Sequence, residues 1–255
     1  VRDKRLRVFY AVEIMKYAIL GDIHANLPAL EAVLDHAASQ GVTDYISLGD
    51  VVGYNADPSA CIQIVRQLCC AVVKGNHDHY AATDEPMNNF NEAAEETVAW
   101  TRSVLNAEER AWLGGLPLKR EMDNFIITHS SMDHPEKWNY VLDRAAAAES
   151  LRFQDAHLCF IGHTHVPVVF QQKQNEIKFF RYERMHLQPG IRYLVNTGSV
   201  GQPRDNDSRA SYAVYDLLEN SITLHRVKYD IAKAQQRNRA AGLPEKNAAR
   251  LARGQ

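Results

Sequence analysis

Cysteine is scarce in this sequence of 255 residues: there are four, Cys61, Cys69, Cys70 and Cys159. They form no Cys-x-x-Cys pair and no disulfide framework, which excludes a stapled secreted scaffold and points to a reducing, cytoplasmic setting. Charge of one sign is also missing. Lys and Arg total 29 against 31 Asp and Glu, a net charge of −2, so no global field recruits nucleic acid or an anionic membrane. No apolar run approaches the roughly 18 residues of a membrane helix, and there is no internal repeat or low-complexity tract. What remains is ordinary in bulk. Hydrophobic residues make up 45% and charged residues 24%, values of a globular chain and not of a disordered one. The length suits one large domain or two small ones. Histidine is the exception: eleven stand against three tryptophans and eight phenylalanines.

Residues 1–14 pair four basic residues with a short apolar stretch, as a signal peptide does. Glu13 and Lys16 interrupt that stretch, and no small-residue cleavage site follows. The segment from Met15 reads as a natural start, so residues 1–14 are expected to be an extension outside the fold. Short β-prone runs follow at Tyr17–Leu20, Tyr45–Leu48, Ala71–Val73, Phe125–Ile127 and Leu158–Ile161. Apolar throughout, they read as strands covered on both faces. Leu30, Val33, Leu34 and Ala37 have helical spacing, with Asn26 and Pro28 near the helix start, and Ile62, Val65, Leu68 and Cys69 repeat the pattern. This β-α-β-α-β alternation predicts a largely parallel sheet.

Residues 84–121 interrupt the alternation with two helical segments, Asn91–Leu105 and Ala107–Leu113, anchored by Trp100 and Trp112. They are expected to form an insertion or cap bordering a cleft. From Val166 onward, five further strand-like runs predict a second, mostly antiparallel sheet. The main domain is expected over 15–229. A basic helical tail, broken at Gly242-Leu-Pro244, is expected over 230–255.

Each of the first five runs ends alike: a small residue, then a metal-type ligand. The sequences are Gly21-Asp22-Ile-His24, Gly49-Asp50, Gly75-Asn76-His77-Asp78, Thr128-His129 and Gly162-His163-Thr-His165. In α/β sheets ligands bind beyond the carboxyl ends of strands, so if these strands share one sheet the groups converge on one edge. Any one motif is a common turn. The set is not, because independent polar loops have no reason to carry such residues after five consecutive strands. Carboxylate, imidazole and amide donors without thiolate favour Mn, Fe, Zn or a similar divalent ion over a structural zinc. Two such ions bridged by one carboxylate can clamp both oxygens of an in-line phosphoryl displacement.

Taken together and in order, these five blocks resemble the calcineurin-like metallophosphoesterase superfamily, over about residues 15–227. Gly49-Asp-Val-Val-Gly-Tyr-Asn-Ala-Asp-Pro58 and Asn196-Thr-Gly-Ser-Val-Gly-Gln-Pro-Arg204 look like its small prokaryotic phosphodiesterase branch, related to diadenosine tetraphosphatase-type proteins. The resemblance implies a four-layer α-β-β-α sandwich of two facing mixed sheets. It also implies two divalent metal ions, of the Mn, Fe, Zn, Ni or Co type. Asp22, His24 and His165 would hold the first, Asp50 would bridge both, and Asn76, His129 and His163 would hold the second. His77 would protonate or stabilise the leaving oxygen, with Asp78 orienting its ring, and a metal-bridging hydroxide would attack.

Asn26, Tyr54 and Arg204 are candidate substrate contacts, although Asn26 also suits a helix cap and Arg204 an exposed turn. Protein phosphatases of the superfamily carry an arginine soon after the second-block aspartate. Here Val51-Val-Gly-Tyr-Asn55 stands instead, which counts against that class. The expected activity is hydrolysis of a small or nucleotide-like phosphoester, with no membrane partner. A nuclease on the same site would need an extended basic surface, and only the tail is basic, so a nucleic-acid partner is not favoured. A non-catalytic interaction module would show missing ligands, and none is missing. Residues 84–121 or the second sheet would carry a homo-oligomer interface if one forms.

Overall fold

A computed structural model of the chain describes residues 15–87 and 90–255. The expectation for residues 1–14 lies outside the described residues. The first half of the chain alternates β1 (Lys16–Leu20), α1 (Leu27–Ser39), β2 (Asp44–Ser47), α2 (Pro58–Leu68), β3 (Cys69–Val72) and the short α3 (Asn76–Ala82). The 84–121 region contributes α4 (Glu92–Val104), α5 (Ala107–Gly115) and β4 (Lys119–Glu121). Then come β5 (Ile126–Thr128), α6 (Arg144–Arg152), β6 (Leu158–Ile161), β7 (Val168–Lys173), β8 (Glu176–Phe180) and β9 (Arg184–His186). The chain ends with β10 (Arg192–Asn196), β11 (Ala210–Asp216), β12 (Ser221–Val227), α7 (Ile231–Ala240) and α8 (Glu245–Leu251).

The strands form two six-stranded mixed sheets, ordered β3-β2-β1-β11-β12-β9 and β4-β5-β6-β10-β7-β8. The early strands do not share one sheet, and the late strands do not form the other. β1, β2 and β3 are parallel neighbours in the first sheet, while β5 and β6 are parallel neighbours in the second. The late strands complete both: β11 pairs antiparallel with β1, and β10 pairs parallel with β6. Chain order carries no record of this, because which sheet a strand joins is decided by its pairing partner.

Side-chain alternation explains the layers. Ala18 and Leu20 of β1 point to α1 and α2 and pack with Leu30, Val33, Ile62 and Val65. Tyr17 and Ile19 point the other way, into a core between the sheets with Phe125, Ile127, Phe160 and Val195. Ile126, Cys159, Ile161 and Leu194 face α6 through Ala147 and Leu151. Both faces of each sheet are therefore covered, which is why these strands read as apolar throughout. α1 starts where expected, with the Asn26 side chain accepting from Ala29 N at 3.2 Å. Burial of Leu30 contributes about 2 kcal/mol.

One further expectation changes. Trp100 and Trp112 are only partly buried, and the buried apolar residues of α4 and α5 are Ala94, Val98 and Leu113. The 230–255 segment packs on the rest of the fold through buried amides. Asn238 Nδ2 donates to Asn55 Oδ1 at 2.7 Å, and Asn247 Nδ2 donates to Thr97 Oγ1 at 2.8 Å. Two of its basic residues are also paired, Arg237 with Asp57 and Arg239 with Glu245.

Phe160 is fully buried and sits edge-on to Phe125 at 5.6 Å. Phe160→Ala should cost about 3–5 kcal/mol, read as a lowered denaturant midpoint with an unchanged slope.

Candidate active site and metal centre

β1, β2 and β3 of one sheet and β5 and β6 of the other end at a common edge. The five motifs follow those ends, so the site is built across the gap between two sheets and not along one. The backbone bends sharply there. Asp22, His24, Asp50, His163 and His165 all have positive φ, between 49° and 68°. Each such residue costs about 1–2 kcal/mol, which the surrounding packing must offset. Gly75 and Gly162 permit the close approach. A Cβ on Gly75 would lie 2.1 Å from Asp50 Oδ1, and one on Gly162 would lie 2.5 Å from Asp22 Oδ2.

The side chains gather into two groups. Asp22, His24, Asp50 and His165 each offer a ligand atom, all within 4.8 Å of one another, and Asp50, His129 and His163 do the same. Asp50 belongs to both: its Oδ2 lies 3.5 Å from His24 Nε2 and 3.4 Å from His129 Nε2. Asn76 joins the second group, with Oδ1 3.1 Å from His129 Nε2. All are buried.

The imidazoles report what this cluster is built to hold. Their outer nitrogens are committed to backbone carbonyls: His24 Nδ1 to Val52 at 3.0 Å, His129 Nδ1 to Leu48 at 2.8 Å, His165 Nδ1 to Gln202 at 2.6 Å and His163 Nε2 to Trp138 at 2.8 Å. A carbonyl only accepts, so each outer nitrogen carries the proton, and in a neutral ring the inner nitrogen is left with a lone pair. Burial, with Asp50 opposing, holds His24 well below its usual pKa. Burial together with the neighbouring His129 does the same to His163, and burial with Arg204 lowers His165. His24 Nε2 and His165 Nε2 then face each other as two acceptors 3.0 Å apart. No hydrogen bond reconciles them, and a cation does.

In the second group the carboxylates act on His129 in the opposite direction. Burial depresses its pKa, but Asp50 and Asp22 outweigh burial and raise it to about 9. Burial would also raise the Asp50 carboxyl, yet His129, His77 and His24 hold it well below the usual range. The donor set therefore fits divalent metal.

His77 stands beside the cluster. Its backbone N–H donates to Asp50 Oδ1 at 2.8 Å. Its ring is enclosed by Tyr54, His24 and Phe90, with centroids 4.4, 4.7 and 4.9 Å away. Burial and Arg204 lower its pKa to about 4, against the pull of Asp50. Asp78 does not orient this ring. Its carboxylate accepts from the backbone N–H groups of Val51, Val52 and Gly75 at 2.9, 3.2 and 3.0 Å, and His77 Nδ1 has no hydrogen-bond partner. Asp78 thus ties the β2 loop to the β3 loop.

A cleft of about 260 Å³ opens over the cluster, lined by Asp50, Asn76, His77, His163 and His165. Tyr54 and Arg204 also line it. Arg204 is no exposed turn residue: it donates to Tyr54 Oη at 3.1 Å and Gln202 Oε1 at 3.2 Å, and its Nε is buried without a partner. Asn26 does not line the cleft. Besides capping α1, it donates to Gly201 O at 2.9 Å, which makes it structural. The remaining wall residues, Tyr80, Phe90, Asn91, Ala94 and Lys137 to Tyr140, carry no motif. Phe90, Asn91 and Ala94 fall inside the 84–121 insertion, whereas Tyr80 lies in α3 and Lys137 to Tyr140 lie between β5 and α6.

With this geometry in place, the comparisons with known proteins agree. Residues 15–220 match the calcineurin-like phosphoesterase superfamily domain, and the chain belongs to that superfamily. It is a phosphoester hydrolase of the metallophosphoesterase class. A metallophosphoesterase of known structure from Sphaerobacter thermophilus is 40% identical, with a TM-score of 0.85 over 95% of this chain and 100% of that one. An uncharacterized protein of Methanocaldococcus jannaschii is 36% identical over 89% of this chain and 93% of its own length. The phosphodiesterase YfcE of Escherichia coli is 26% identical over 82% and 89%.

Adding Mn²⁺ should raise the Tm, by about 2.7 kcal/mol of stabilisation at a hundredfold excess over Kd, and EDTA should reverse it. Asp50→Asn should abolish the shift in differential scanning fluorimetry. Gly162→Ala should displace Asp22 and weaken metal binding in calorimetry, with the fold retained by circular dichroism.

Proposed function

We propose that this chain is a phosphodiesterase or phosphatase that hydrolyses a small or nucleotide-like phosphoester by in-line displacement, using two divalent ions of the Mn, Fe, Zn, Ni or Co type in the cytoplasm. The observation that carries this is the sharing of Asp50 between two donor groups. One carboxylate placed between two cation sites is what two mutually repelling ions require. Asp22, His24 and His165 would complete the first site, and Asn76, His129 and His163 the second. Bound there, two divalent cations would supply charge for the phosphoryl oxygens and a water acidic enough to attack near neutral pH.

The other residues act on the substrate. Arg204 presents a buried, unpartnered Nε at the cleft, an arrangement suited to gripping a phosphoryl oxygen. Tyr54 holds that guanidinium in place. His77 lines the cleft and is neutral when the cleft is empty; an arriving phosphoryl anion favours its protonated form, which can donate to the leaving oxygen. The cleft volume supports a small substrate, and the Escherichia coli relative's activity supports a diester. The pairing of Arg237 and Arg239 with carboxylates removes charge from the surface that a nuclease would need. Buried thiols at Cys61 and Cys159 support a reducing compartment.

The test is turnover of bis-p-nitrophenyl phosphate with Mn²⁺, followed by a panel of monoesters, cyclic nucleotides and dinucleoside polyphosphates. EDTA should abolish turnover. His77→Ala should retain metal and lose about 10²–10⁴ in kcat. A metal-loaded protein inert toward every ester would overturn the proposal.

A further inference from the structure

The four inner imidazoles are not held alike. His24, His129 and His165 donate their outer N–H to Val52, Leu48 and Gln202, all buried within the fold. His163 donates to Trp138 O, which belongs to a stretch, residues 133–140, without a single buried residue. That stretch is anchored at its ends by Met132 and Val141, which pack with α6. Between them it turns through a short 3-10 segment, Pro135–Lys137, flanked by His134 and Trp138 at φ of 47° and 56°.

One side chain of the stretch holds His163 directly. The Tyr140 ring lies flat on the His163 imidazole, with centroids 4.0 Å apart and planes 19° from parallel. Tyr140 is 50% exposed, and this stack is its one ring contact among the described residues. A half-exposed aromatic that belongs to none of the buried clusters contributes little to the core. Its contact is with a residue of the second donor group, and it makes none with the first. The second group is also the poorer in charge. Asp22 and Asp50 both serve the first, whereas the second has the shared Asp50 and the neutral amide of Asn76.

We propose that Tyr140 is a positioning residue for the second metal site: by stacking on His163 it sets how tightly that site, and not the first, holds its ion. The two sites then fill in order, the charge-rich and core-supported one before the loop-supported one. Because Trp138 and Tyr140 also line the cleft, a ligand that steadies this stretch would tighten the second ion, and by linkage the ion would tighten that ligand equally. The inference rests on the two-ion reading above.

The experiment is Mn²⁺ titration of the metal-free protein by isothermal calorimetry, with electron paramagnetic resonance to follow formation of the spin-coupled pair. The wild type should show two sites of unequal affinity. Tyr140→Ala should weaken the second by about tenfold, the size of effect typical of groups that orient metal ligands, and leave the first unchanged. Tyr140→Phe keeps the ring and should restore the wild-type isotherm, an outcome that separates stacking from any role of the hydroxyl. Two sites in the wild type with an unchanged second site in Tyr140→Ala would overturn this inference alone, as would equal weakening of both. A wild type that binds only one ion would overturn the two-ion reading as well.

Discussion

Asp50 sets a buried negative charge at the floor of a cleft between two sheets, and burial of that kind is tolerable only with cations close by. The carboxylate answers to His24 on one side and His129 on the other, and its second oxygen accepts from the His77 backbone. Every neighbouring feature follows from that arrangement. Gly75 must lack a Cβ to leave room for it. The imidazoles must present their inner nitrogens toward it. The backbone must turn left-handed to deliver Asp22, His24, His163 and His165 from different strands to one point. The local strain and the clustered acceptors are costs that metal binding offsets, so the centre is expected to stabilise the fold as well as to perform chemistry.

The segment from Asn196 to Arg204 ties these requirements together. It leaves β10 at the same edge as the motifs. Val200 and Gly201 donate to the backbone of Gly21 and Asp22, and Ser199 Oγ donates to Asp22 O. Gln202 O orients His165, and two residues later Arg204 reaches the cleft. One stretch thus fixes a residue of the first donor group, its outer partner and the proposed phosphate grip. A shift of one of them displaces the others.

Much of the site was legible because its chemistry sits directly beside strand ends, where a short apolar run followed by a small residue marks the spot. The seven ligand-type residues needed no knowledge of pairing. The division of strands between sheets did, and so it was misread: β5 and β6 look like a continuation of β1 to β3 until β10 and β11 are seen to separate them. Asp78 departs from expectation, and Asn26 takes the second of the two roles open to it, for a related reason. A polar residue near a ligand can serve the backbone instead of the substrate, and only its hydrogen-bond partners distinguish the two. The cleft wall at Phe90, Asn91, Trp138 and Tyr140 left no pattern, since aromatic and amide residues in loops are common and their convergence is a property of the folded chain alone.

The lock between Asn247 and Thr97 gives the molecule an order in time. Thr97 lies one helical turn past Ala94, which lines the cleft, and Asn247 follows it by 150 positions. On a ribosome the metal-type ligands and the Asn196–Arg204 segment have all emerged before Asn247 is made. The ligand residues are therefore all made before the helix that walls the cleft can gain this buried contact. One wall of the cleft is thus secured by a residue that lies far along the chain from the motifs carrying the chemistry.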